Sequence, residues 1–129
     1  MCLGIVYRGK EKKDALAKLP KSGYYWKLVV LFDNKYIPPI FSEYGSYKNG
    51  WNSTHQKSEC AGYFLAYHLF RYKKDAKKMM YWVSAFKKKK VIVRCKVRKK
   101  DIINIGRQDM GLTIVTTRFW MPKLKKRPA

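Results

Sequence analysis

Acidic residues are what this chain has least of. Eight Asp and Glu stand against thirty Lys and Arg in 129 residues, and the only glutamates are Glu11, Glu43 and Glu59. Hydrolysis that relies on a pair of carboxyl groups is therefore unattractive. Cysteine is scarce too: Cys2, Cys60 and Cys95 are odd in number and form no CxxC pair, which argues against a disulfide framework. Cys2 would become an N-terminal thiol nucleophile on loss of Met1, but no partner for it can be identified. His55, Cys60, His68 and Cys95 carry metal-capable atoms at spacings that match no zinc pattern, so no metal is expected. A glycine-rich phosphate loop before a helix is missing, since "KSGYYW" and "RQDMGL" read as turns, and no cofactor is expected. No apolar run approaches the roughly 20 residues of a membrane span, and "MCLGIVYRGK" has no charged leader before its apolar part. Neither anchor nor signal peptide is expected, and the chain reads as cytosolic.

What is present is charge of one sign on a chain that can fold. Hydrophobic residues make up 47% and aromatics 16%, too much for a disordered polycation. The length suits one domain, read here as residues 1–122 with a basic tail at 123–129. A formal charge of +22 costs stability through self-repulsion, and a folded protein that carries it most often has a polyanionic partner. Nucleic acid ranks first, an acidic protein second, and no membrane partner is expected. The competing explanation is a lysine-rich composition without a ligand, since Lys greatly outnumbers Arg.

Along the chain, "CLGIVYR" predicts a short strand with Leu3, Ile5 and Tyr7 on one side. "EKKDALAKL" predicts a helix with Ala15, Leu16 and Leu19 inward, stopped by Pro20. "YYWKLVVLF" lacks alternation, as expected of a strand covered on both faces. Residues 33–58 read as a long loop rich in Tyr, Pro, Gly, Asn and Ser. "GYFLAYHLF" reads as one strand, and "KKDAKKMMYWV" as a helix with Ala76, Met79, Met80 and Val83 inward and Lys73, Lys74, Lys77 and Lys78 outward. In "VIVRCKV", Val91, Val93, Cys95 and Val97 alternate with Arg94, Lys96 and Arg98. A turn from Asp101 to Gly111 and a last strand, "LTIVTTRFW", complete the domain. The expected fold is α+β: a small, mostly antiparallel sheet with two short helices packed on it.

Residues two apart in a strand face the same way about 6.6 Å apart, so Arg94, Lys96 and Arg98 would form a straight row of cations. The row is either a surface for phosphates or a charged edge strand protected against aggregation. From 71 to 100 there are fourteen Lys and Arg and one acid, Asp75. The candidate anion-binding set is Lys73, Lys74, Lys77, Lys88, Lys90, Arg94, Lys96 and Arg98. Lys73 and Lys74 oppose a helix dipole that an anion at that N-terminus would satisfy. Tyr47, Trp51, Tyr67, His68 and Tyr72 are candidates for stacking or for lining a pocket, as in sites for single strands or nucleotides.

"SYKNGWN", "GYFLAYHLFRYKKDAKKMMYW" and "VIVRCKVRKKDIINIG", taken together, resemble a pattern found in small accessory proteins of tailed bacteriophages. There a YK-x-G turn, a YH-x-F strand leading into an Ala-bearing helix, and a basic valine strand follow in this order. The likeness extends over about residues 24–122. It implies a phage accessory protein in the host cytoplasm, acting against host defence, without supplying an activity. The segment from Gly62 to Val97 distantly resembles the core of ADP-ribosyltransferase-like folds. That likeness implies a nucleotide pocket near Tyr63, Tyr67 and His68, but active members place a glutamate late in the chain and none follows Glu59 here. The expected function is non-enzymatic binding of nucleic acid or an anionic nucleotide through the basic face. Two alternatives stand beside it: a nucleotide-using enzyme with a pocket near Tyr24, Tyr67 and His68, and a basic inhibitor docking on an acidic host protein.

Overall fold

A computed structural model describes residues 3–32, 35–37, 47–54, 59–60, 63–64, 66–82, 89–108 and 111–123. In chain order the elements are β1 (Ile5–Val6), α1 (Gly9–Ala17), β2 (Ser22–Phe32), β3 (Lys35–Ile37), β4 (Gly50–Ser53), β5 (Glu59–Cys60) and β6 (Tyr63–Phe64), then β7 (Tyr67–Phe70), α2 (Lys73–Trp82), β8 (Lys89–Arg98), β9 (Ile102–Gln108), β10 (Gly111–Thr116) and β11 (Arg118–Met121). The main sheet runs β1-β9-β10-β7-β2-β8-β11-β4, with β3 on the far part of β2, and all its pairings are antiparallel. β5 and β6 form a separate ribbon. The fold is α+β, as its sequence predicts.

The sheet curls strongly. β2 and β8 lie between β7 and β11, so in a flat sheet side chains on β7 and β11 would be about 14 Å apart at the usual strand spacing. Instead the rings of Tyr67 on β7 and Phe119 on β11 meet edge-on at 4.8 Å, and Tyr47 packs 5.5 Å from Phe119. The Tyr67 hydroxyl also donates to the Ser53 carbonyl on β4 at 3.1 Å. The concave side thus encloses the main core, which includes Tyr25, Val29, Leu69, Val93, Cys95, Val97, Ile105 and Ile114, and α1 closes it with Ala15, Leu16 and the following Leu19.

On the opposite side α2 sits over one part of the sheet. Its Ala76 and Met79 pack with Leu28, Val30 and Phe70, while Lys73, Lys74, Lys77 and Lys78 face outward. This explains why β2 lacks alternation: Tyr25 and Val29 enter the concave core and Leu28 and Val30 lie under α2. β8 keeps its alternation, with Val93, Cys95 and Val97 buried between exposed Arg94 and Lys96.

Several predicted elements are corrected. β1 has two residues, and Ile5 is exposed while Leu3 is buried, because β1 is an edge strand held against Gly106. A Cβ at Gly106 would strike the Ile5 carbonyl, so the approach of β1 to β9 needs glycine there. The turn expected from Asp101 to Gly111 contains a full strand, β9, whose Asn104 and Gly106 look like turn residues but are held by pairing to β10. "LTIVTTRFW" breaks at Thr117, where the Thr116 hydroxyl and the Thr117 amide both bond the Asp101 carbonyl, and it yields two strands in different parts of the sheet. "GYFLAYHLF" likewise gives β6 and β7 rather than one strand. The supposed loop holds β3 and β4. Val83, Lys88, His55 and residues 124–129 of the tail lie outside the described residues.

Gly106→Ala should overpack the β1–β9 contact. The expected loss is about 1–3 kcal/mol, read from the urea unfolding midpoint.

A candidate polyanion-binding face

The part of the convex face that α2 leaves open is built from every second residue of four adjacent strands, β2, β8, β11 and β4. Register places Tyr24 opposite Lys96, Lys96 opposite Trp120, and Trp120 opposite Trp51, giving one row across all four strands. Trp26 and Arg94 pair in the next row on one side, and Ser22 and Arg98 on the other. Tyr24 is 45% exposed. These strands contain no Asp or Glu.

Cations lie over the rings. The Arg94 guanidinium is 4.4 Å from the centre of the Tyr24 ring, and Trp51 is approached by Arg98 at 4.3 Å and Arg118 at 4.9 Å. The Lys96 ammonium sits between Tyr24 at 5.8 Å and Trp120 at 5.5 Å. Rings attract cations through their electron-rich faces, so this packing partly offsets the mutual repulsion of the row. Arg94 and Lys96 are exposed, and Arg98 and Arg118 are partly exposed.

Past the end of β7, exposed Tyr72 has the Lys74 ammonium 5.7 Å from its ring. Arg71 donates to the Tyr24 carbonyl at 3.1 Å and stands at the sheet margin between Tyr72 at 5.7 Å and the buried Tyr25 ring at 5.2 Å, so it is an edge residue and not part of the convex row. Lys73 reaches from α2 to Trp26 at 5.2 Å. The chain also places an acidic residue in the first turn of this helix, Asp75, which is only 4% exposed. Its carboxylate packs on Gly111, whose φ of +145° and missing side chain make room for it.

The candidate residues therefore divide. Arg94, Lys96, Arg98, Trp51, Tyr72, Lys73 and Lys74 belong to the open face or its margin. Lys77 is exposed on α2, and Lys90 donates to the Met80 carbonyl in the last turn of that helix at 3.4 Å. Tyr47 and Tyr67 are core rings, 8% and 6% exposed, and take no part in the open face. Tyr24 and Tyr67 lie on opposite sides of the sheet, so the pocket expected from Tyr24, Tyr67 and His68 is not formed. Sequence reading alone does not pick out Tyr24, Trp26, Arg118 and Trp120 as members of this face. The signal for Arg118 and Trp120 was there, since they alternate with buried Phe119 and Met121.

A second cationic feature lies inside. Lys27 points into the concave core, where its ammonium donates to the His68 carbonyl at 2.9 Å and rests 5.2 Å from the Tyr47 ring and 5.8 Å from Phe119. Burial lowers its pKa to about 8. Burial also pushes the Cys95 thiol up to about 12, so it is neutral when Lys27 titrates and supplies no counter-charge. His68 is lowered to about 4 by burial and by Lys27, and stays neutral at pH 7 while its Nδ1 bonds the Ala66 carbonyl. Among the described residues no three of His, Cys, Asp and Glu converge as a metal site, and no helix is long and apolar enough to cross a membrane.

No protein-family model, curated protein or solved structure matches this chain.

Folded Lys27 releases its proton near pH 8 and unfolded Lys27 near 10.5, so the unfolded chain holds more protons between these values. Stability should rise with pH across that window. Lys27→Met should remove this rise and add about 1–2 kcal/mol at neutral pH, the relief of charge burial less a lost hydrogen bond. Urea titrations at several pH values check both.

For His68 the unfolded chain gains its proton first as pH falls from 6.5 to about 4. Stability should decline over that range, and His68→Gln should flatten the decline in acid unfolding monitored by circular dichroism.

Proposed function

We propose that this protein binds nucleic acid through the open convex face of its sheet, as a binding protein rather than an enzyme. One observation carries the reading. Four neighbouring strands devoid of acidic residues turn Arg94, Lys96, Arg98 and Arg118 to the same side and interleave them with Tyr24, Trp51 and Trp120. Charge used only to protect an edge strand would sit on an edge, but β8 is flanked by β2 and β11. Cations in the middle of a sheet repel one another without protecting anything, and a phosphate backbone is the partner that makes use of them.

Guanidinium groups suit this partner. Their planar forks can keep a face on a ring while their N–H edges reach phosphate oxygens. The rest of the charge, on α1 and the outer side of α2, adds a field that speeds encounter without fixing an orientation.

Replacing Arg94, Lys96 and Arg98 together with Gln should weaken binding of a labelled oligonucleotide and reduce the slope of log K against log salt by about 0.7 per lost contact on a single strand. Replacing exposed Lys10, Lys13 and Lys18 of the α1 region with Gln removes equal charge and should leave the slope nearly unchanged. Anisotropy titrations over a salt series measure both. Equal affinity and slope for a folded Arg94, Lys96 and Arg98 variant and the parent protein would remove this face from the reading.

A further inference from the structure

The geometry points to an unpaired strand as the nucleic acid this face takes, its bases stacked on the guanidinium and ring layer in the row from Trp51 to Tyr72. This inference rests on the nucleic-acid reading above and narrows it. Three features of the face support it.

The first is curvature. The rings of Tyr67 and Phe119 meet on the concave side, so the cationic row lies on the convex side. A duplex is stiff over about 150 base pairs, and a stiff cylinder on a convex surface touches along a short line only. A single strand is flexible enough to follow the curve. Moreover α2 stands roughly 10 Å proud of the sheet beside the row, over Leu28, Val30 and Phe70, where it obstructs a wide ligand.

The second is the row itself. Trp51, Trp120, Lys96 and Tyr24 occupy successive strands β4, β11, β8 and β2, and exposed Tyr72 follows just past the end of β7. Four strand spacings amount to about 19 Å, a length that suits about four nucleotides, the low end for one small β platform.

The third is the layering. Arg94 on Tyr24 and Arg98 with Arg118 around Trp51 hold planar cations close to rings at 4.3 to 4.9 Å. A guanidinium plane backed by a ring offers a base its second face for stacking, and a splayed-out base needs such a platform while a paired one has no use for it. Stacking uses the π-face that every base has, so the expected binding is tolerant of sequence.

The test compares three probes of equal length at the same salt: oligothymidylate, the same sugar-phosphate chain without bases, and a duplex. Binding is followed by protein tryptophan fluorescence and by anisotropy of an end label. Oligothymidylate should quench tryptophan and bind at least about tenfold tighter than the abasic chain, in line with the stacking energy of one base or more, and tighter than the duplex. Tyr24→Ala and Trp51→Ala, each with unfolding midpoints measured alongside, should shrink the preference for bases while leaving abasic affinity close to that of the parent. Tyr24, being 45% exposed and outside the core clusters, supplies a variant that removes no core side chain. Equal binding of the abasic chain, or a duplex that binds as tightly as the single strand, would overturn the stacked single-strand inference and leave the basic-face reading standing. Failure of all three probes to bind at low salt would overturn both.

Discussion

The pleat of β8 is the constraint on which the rest depends. Val93, Cys95 and Val97 are locked into the concave core, 2%, 0% and 0% exposed, and a strand must turn every intervening residue the other way. Arg94, Lys96 and Arg98 therefore face outward whatever the electrostatic cost. A slip of one residue in register would bury three cations and expose the core of the strand, so apolar burial indirectly holds the cationic row in line. Ten consecutive pairings with β2 keep that register, from Ser22 opposite Arg98 to Leu31 opposite Lys89.

Curl and pleat together then sort the aromatic residues. Tyr24 and Tyr25 are neighbours in sequence with opposite fates: Tyr25 is fully buried on the concave side, and Tyr24 lies on the convex side under Arg94. Phe119 and Trp120 divide in the same way on β11. Rings turned inward supply the apolar area that folds a small domain with a large excess of charge, and rings turned outward temper the repulsion between cations. Stability and surface chemistry thus draw on the same residue types at alternate positions.

Much of this could be read from the residues. The alternation in "VIVRCKV" carried both the buried face and the cationic row, and the helix of Ala76, Met79 and Met80 followed from its spacing. Less legible were the places where pairing partners decide. Asn104 and Gly106 suggest a turn, yet they are strand residues because β10 and β1 flank them. Trp51 sits in loop-like composition, and only its pairing with Trp120 makes it a member of the sheet face. Tyr47 and Tyr67 looked equivalent to Trp51 as stacking candidates, since the sign of a ring's exposure depends on a curl that no local pattern encodes.

Lys27 reveals how firmly the fold imposes this order. It lies between Tyr25 and Val29 on the concave parity of β2, so the pleat carries a cation into the core. No carboxylate meets it there among the described residues; a carbonyl and two ring faces do, and its proton affinity falls accordingly. An exposed position for Lys27 would require β2 to shift by one residue, which would turn Tyr25 and Val29 out of the core and break the pairing that aligns Arg94, Lys96 and Arg98. Burial of one amine costs less than that rearrangement. The interior lysine and the exterior row are thus consequences of a single register, one on each side of the same two strands.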